Sequence, residues 1–134
     1  MFVALLDAAH VHHRTARRWM EEHELEGWAS CPTTQNGTIR VLSTPVYPNA
    51  VSVSVATTLV DQACAGTRHE FWADDLTLTD ATRIDRTRIH GPRQITDVYL
   101  LALAVSHHGR IVTLDGRIPT SPAIGATSKN LLVI

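Results

Sequence analysis

The stretch from Gln94 to Asp115 constrains the fold most, because it places an apolar helix directly before a short strand. Val98 to Val105 is apolar on nearly every side of a helix, which is typical of a buried helix rather than a surface one. Gly109 is expected to end the helix as its first left-handed residue. Residues 110–114 then predict a strand, and Asp115 opens a turn at its carboxyl end.

Two carboxylates in this stretch suggest a site. Thr96 is expected to cap the helix, which leaves Asp97 in the first turn, where the helix dipole favours an acid. Asp115 follows the strand, and sites in parallel sheets form beyond the carboxyl ends of strands. Two carboxylates that meet there repel each other unless a cation such as Mg²⁺ or Mn²⁺ neutralises them. The spacing by itself favours a plainer interpretation, in which Asp97 is a helix-start acid and Asp115 a turn residue.

The rest of the chain alternates predicted strands and helices, which indicates an α/β sandwich with a largely parallel sheet. At 134 residues the chain is expected to form one domain, 1–134. No apolar run is long enough for a membrane span or a signal-peptide core, so a cytoplasmic location is expected. The remaining strands are predicted at Trp28–Cys31, His69–Trp72 and Leu131–Ile134, and the remaining helices at His10–Glu24, from Pro32, at Ser52–Ala65 and at Thr79–Ile89.

The densest cationic stretch of the chain lies immediately before Asp97 and leaves two interpretations open. A solvated helix whose arginines pair with Asp80 and Asp85 is the commoner outcome for such a run. A phosphate-binding rim beside a metal site is the alternative, since cations position a polyanion without reading its bases. The residues concerned are Arg83, Arg86, Arg88, His90 and Arg93.

Five segments, in order from about Phe2 to Asp115, together resemble the PIN-domain ribonucleases, specifically the VapC toxins of bacterial toxin–antitoxin pairs. They are H-V-H-H-R-T-A-R-R-W, W-A-S-C-P-T-T-Q-N-G-T-I-R-V, H-E-F-W-A-D-D, I-T-D-V-Y-L-L-A-L-A and G-R-I-V-T-L-D. The resemblance implies the PIN fold, a three-layer α/β sandwich with a mostly parallel central sheet.

The resemblance also implies a function, that of a Mg²⁺- or Mn²⁺-dependent endoribonuclease acting on single-stranded or looped RNA. A VapB-type antitoxin would hold it inactive, and a homodimer is also compatible with the family. Asp97 and Asp115 would be the catalytic metal ligands, and the Thr113 hydroxyl would orient one of them. Gln35 stands where the family often has a metal-site glutamate. The candidates for contact with RNA phosphates are Arg40, Arg93 and Arg110.

The chain departs from the family pattern at its beginning. In VapC-like chains a strand ending in Asp-x-Asn comes first, and F-V-A-L-L here corresponds to the helical turn that follows it. We therefore expect the first strand and its aspartate to be encoded upstream of Met1. Without that acid, and with a neutral residue at Gln35, the alternative is a truncated, inactive PIN domain that acts by binding an antitoxin.

Overall fold

The computed structural model describes residues 1–134, and the backbone divides into two compact units, Met1–Asp74 and Asp75–Ile134. Each unit contains helical segments and one pair of parallel strands, so the predicted α/β class and the parallel pairing are confirmed. The strands form two separate two-stranded sheets. None of the helices is long and apolar enough to cross a bilayer. That the whole chain is a single domain stays a prediction.

The N-terminal unit, Met1–Asp74, is built on a parallel pair in which Ala29 lies opposite Glu70. Its second long helix begins with Pro32 at the first helical position, and the next begins after Ser52, whose Oγ accepts a hydrogen bond from the Val55 N–H at 3.2 Å. Both starts are those that the sequence predicts. The elements are α1 (Phe2–Leu6), α2 (His13–Glu22), β1 (Trp28–Ser30), α3 (Pro32–Ser43), α4 (Val53–Cys64) and β2 (His69–Phe71), with a 3₁₀ turn at Glu24–Glu26.

The C-terminal unit, Asp75–Ile134, is organised around the buried helix α5 (Ile95–Ser106). It is followed by β3 (Ile111–Thr113), which pairs in parallel with β4 (Leu131–Val133). Short 3₁₀ helices lie at Arg86–Arg88, Pro92–Gln94 and Ser128–Asn130. The apolar core of the unit consists of Ile84, Val98, Leu101, Ala102 and Ala123. The prediction of a helix buried on most sides is therefore confirmed.

Both ends of α5 differ from the prediction. Thr96 is not the N-cap, because the 3₁₀ turn Pro92–Gln94 runs directly into a helix that begins one residue earlier, at Ile95. Asp97 nevertheless lies in the first turn, as expected. At the other end His108, with φ 55°, adopts the left-handed conformation that we expected of Gly109.

The prediction of a helix over Thr79–Ile89 is wrong. Asp80 Oδ1 accepts hydrogen bonds from both the backbone N–H and the hydroxyl of Thr82, and Asp85 Oδ1 makes the same two bonds with Thr87. Such aspartate turns offer the backbone an alternative to helical hydrogen bonds. The segment consequently folds as turns and one short 3₁₀ helix.

Candidate active site

Asp97 and Asp115 come together in the C-terminal unit, as the sequence suggested. Asp97 is half-buried on the first turn of α5, and Asp115 lies two residues beyond the end of β3. Burial raises the pKa of Asp97 above its ordinary value, and the negative charge of Asp115 raises it further. A carboxylate whose pKa is raised by a neighbouring carboxylate lies in a locally negative site that favours either a proton or a cation.

The carboxylate of Asp115 is bound on both oxygens by Arg117. The Nε of Arg117 lies 2.9 Å from Oδ1, its Nη2 lies 2.9 Å from Oδ2, and its backbone N–H also donates to Oδ1 at 2.9 Å. These hydrogen bonds lower the pKa of Asp115 to about 2. Arg117 is not among the residues that we predicted from the sequence. The signal was present, because an aspartate that opens a turn commonly binds the backbone two residues ahead.

Thr113 supports Asp115 through the backbone. Its Oγ1 accepts a hydrogen bond from the Asp115 N–H at 3.0 Å. The bond fixes where the chain leaves β3 and therefore where the Asp115 side chain begins, whereas we expected the hydroxyl to orient a carboxylate. A role of Thr113 in the function stays a prediction.

The acid pair suits a hard divalent cation that keeps part of its water shell. No group of three or more His, Cys, Asp and Glu side chains is arranged to hold a metal. A closed four-ligand zinc site therefore does not fit these residues. Mg²⁺, by contrast, is commonly held by one or two carboxylates together with waters and substrate phosphates. Asp97 and Asp115 supply that donor set.

Gln35 lies in the N-terminal unit, in a network of hydrogen bonds with Ser30, Cys64 and His69. Its Nε2 donates to Ser30 Oγ at 2.9 Å and to Cys64 Sγ at 3.6 Å, and Ser30 Oγ lies 2.8 Å from His69 Nε2. Burial lowers the pKa of His69, whose ring also hydrogen-bonds to the Cys64 backbone. Ser30 Oγ thus accepts a hydrogen bond from Gln35 and is also bonded to the His69 ring. A glutamate at position 35 has no N–H to donate, so this network accounts for the glutamine, and its supporting role at the acid pair stays a prediction.

The three arginines expected to contact RNA are all exposed. Arg93 lies in the 3₁₀ turn just before α5, and Arg110 lies just before β3, so both belong to the unit that carries the acid pair. Arg40 lies in the last turn of α3, in the N-terminal unit. In the cationic stretch, Arg88 pairs with Asp85, with 2.9 Å between Nε and Oδ2.

Comparison with known proteins shows similarity along the whole chain. Residues 1–120 match the PIN domain. The chain is 46% identical over 134 residues to Ribonuclease VapC44 of Mycobacterium tuberculosis, covering 100% of this chain and 94% of that protein. It is 35% identical over 131 residues to Ribonuclease VapC39 of the same organism (93% of this chain, 91% of that protein), and 39% identical over 119 residues to its Ribonuclease VapC38 (88% and 82%). No solved structure matches.

Proposed function

The chain belongs to the PIN-domain family, among the VapC proteins, and on that premise we propose that it is an endoribonuclease toxin that cleaves phosphodiesters in single-stranded or looped RNA. The observation that carries the proposal is the pairing of Asp97 with Asp115 in one unit. Its support from outside the structure is that relatives matched over nearly all of their length are named ribonucleases. VapC ribonucleases of this family generally depend on a divalent metal.

We infer that the metal is Mg²⁺ or Mn²⁺ and that Asp97 and Asp115 hold it. When bound, such a cation polarises a phosphoryl oxygen and lowers the pKa of a water molecule, which supplies the nucleophile. Asp115 contributes a carboxylate that remains ionised well into acid, because its pKa is about 2. Asp97 contributes a half-buried carboxylate on the first turn of α5. Thr113 holds the backbone of Asp115 in place.

Beside RNA, the partner that we propose is a VapB-type antitoxin. We place both proteins in the cytoplasm. A homodimer also fits the family. An arginine from the antitoxin would neutralise the acid pair, because a guanidinium binds carboxylates through two parallel hydrogen bonds. Co-expression with the neighbouring small open reading frame is expected to give a complex that purifies as one species. A toxin that purifies alone would contradict the proposed partner.

An inactive domain that only binds an antitoxin is the second candidate, and it has less support. The relatives that match along the chain are named ribonucleases, and both carboxylates of the pair are present. Binding of an antitoxin without any RNA cleavage, in the presence of Mn²⁺, is the result that would favour it.

The proposed function is tested by Asp97→Asn. This change keeps the shape of the side chain and is tolerated at a helix start, but it removes one of the two ligand charges. We expect metal-dependent cleavage of RNA to fall by more than about 100-fold, since even residues that only support metal ligands commonly contribute 10- to 100-fold. Circular dichroism is expected to show an unchanged fold.

Asp61→Asn is the matched control, because Asp61 is an exposed aspartate on α4 in the other unit. It is expected to cleave RNA like the wild type. Cleavage by Asp97→Asn at the wild-type rate, or wild-type cleavage that a chelator does not stop, would show that the assignment is wrong.

A further inference from the structure

The ion pair between Arg117 and Asp115 places a positive charge where the proposed function needs a metal ion. Both oxygens of Asp115 accept hydrogen bonds from the guanidinium. Arg117 also interacts electrostatically with Asp97, so its charge acts on both members of the acid pair. A divalent cation that enters at these carboxylates therefore meets a guanidinium within hydrogen-bonding distance of one of them.

The side chain of Arg117 is free to leave. It is 89% exposed, and its guanidinium hydrogen-bonds to Asp115. Ion pairs this exposed contribute little to stability, so little free energy opposes displacement of the arginine from Asp115. The backbone N–H of Arg117 also donates to Asp115, which favours the turn and keeps the arginine near the acid pair after its side chain is displaced.

We propose that Arg117 occupies the cation position of the Asp97–Asp115 pair in the metal-free protein, and that an entering divalent cation releases it to bind a phosphate of the RNA. The inference rests on the proposed function, since it assumes that this pair holds the metal. The planar guanidinium matches a phosphate as well as it matches a carboxylate, so the same side chain serves both states. Arg117 thus opposes metal binding and favours substrate binding.

Arg117→Gln tests the inference, because it is expected to change the two affinities in opposite directions. Binding of Mn²⁺ without RNA, measured at pH 7 from the electron paramagnetic resonance of the free ion, is expected to be about two- to five-fold tighter than in the wild type. At saturating Mn²⁺ the KM for RNA is expected to rise about three- to ten-fold, with a smaller change in kcat. Arg17→Gln is the matched control, since Arg17 also pairs with an exposed carboxylate, Glu21, at 3.1 Å. It is expected to change neither affinity.

The outcomes separate this inference from the proposed function. Equal or weaker Mn²⁺ binding by Arg117→Gln, while Asp97→Asn abolishes binding, would overturn the inference and leave the proposed function intact. A higher KM with unchanged Mn²⁺ affinity would make Arg117 a simple RNA contact and would also overturn it. If Asp97→Asn binds Mn²⁺ like the wild type, the proposed function fails, and the inference fails with it.

Discussion

Asp97 and Asp115 are the same residue type, yet their surroundings displace their pKa values in opposite directions. Burial, together with the charge of Asp115, raises the pKa of Asp97. The hydrogen bonds from Arg117 lower the pKa of the exposed Asp115 to about 2. A proton therefore competes with a cation mainly at Asp97, and Asp115 supplies a permanent negative charge at any physiological pH.

The Arg117→Gln variant is expected to raise the pKa of both aspartates. Asp115 loses the two side-chain hydrogen bonds that are the largest cause of its depressed pKa but keeps the bond from the backbone N–H of residue 117, so its pKa returns from about 2 part of the way to the ordinary value of roughly 3.9. The pKa of Asp97 is expected to rise further, because the variant lacks the positive charge of Arg117, which lowers this pKa in the wild type. Titration of the carboxyl carbons by NMR without metal measures both values, with Arg17→Gln as the control. If the pKa of Asp115 is the same in Arg117→Gln as in the wild type, the bidentate ion pair is contradicted.

The same variant has a stability consequence whose sign follows from linkage. A depressed carboxyl pKa contributes stability that is complete above the unfolded value and is lost as the pH falls through the folded value. For Asp115 that window runs from roughly 3.9 down to about 2. The wild type and Arg117→Gln are therefore expected to differ at neutral pH through this pair and to converge near pH 2.

At the scale of elements, Asp7 fastens the first helix to a loop. It follows the five-residue helix α1, and its Oδ2 accepts hydrogen bonds from the Tyr47 hydroxyl at 2.5 Å and from Asn49 Nδ2 at 2.8 Å. The loop between α3 and α4 is thereby held to the end of α1. A helix this short has little stability of its own, so its position depends on such contacts.

Tyr47→Phe is expected to lower the free energy of unfolding by about 1 kcal/mol, because it removes a hydrogen bond to a charged group that is partly screened by solvent. Urea unfolding at neutral pH measures the loss. The Tyr47 hydrogen bond is the largest cause that lowers the pKa of Asp7, so the difference from the wild type is expected to shrink as acid protonates Asp7. Asn49→Ala, which removes the longer bond to the same oxygen, is expected to cost less. Equal stability of Tyr47→Phe and the wild type would show that the hydrogen bond between Tyr47 and Asp7 does not stabilise the fold.

Local signals predicted several elements, and contacts between distant residues decided the others. Pro32 and Ser52 mark the starts of α3 and α4 because a helix start depends on residues within one turn of it. The Thr79–Ile89 segment fails as a helix because two aspartate side chains bind its backbone. Val53, an apolar residue at the start of α4, is 61% exposed, since burial depends on what packs against the first turn.

The candidate site, too, was predicted in part from local signals and depends in part on contacts that those signals do not fix. Helix-start and strand-end positions identify Asp97 and Asp115 from the sequence, since each lies beside a strong local signal. The effect of Asp115 on the pKa of Asp97 and the pairing of Arg117 with Asp115 depend on side-chain placement, which spacing does not fix. The glutamine at position 35 becomes intelligible only through its bond to Ser30.

At the scale of the whole molecule, the net charge of −1 conceals an uneven distribution of arginines. Arg93 and Arg110 are exposed in the unit that carries the acid pair. Arg17 and Arg18 are exposed on α2. Arg17 Nη2 lies 3.1 Å from Glu21 Oε1, and Arg18 Nε lies 3.9 Å from Glu22 Oε1. Affinity for RNA depends on local groups of cations rather than on the total, so these two pairs of arginines are expected to behave differently.

The double variant Arg93→Gln/Arg110→Gln is expected to weaken RNA binding and to reduce its dependence on salt. Each phosphate contact on a single strand contributes roughly 0.7 to the slope of log K against log salt concentration, so the slope is expected to fall by that amount for each arginine. Binding is measured by fluorescence anisotropy in the Asp97→Asn background, which prevents cleavage. Arg17→Gln/Arg18→Gln removes the same total charge and is expected to leave the slope unchanged, because those arginines lie on α2, in the unit that does not carry the acid pair. If both double variants lower the slope equally, the loss reflects net charge, and Arg93 and Arg110 are not specific phosphate contacts.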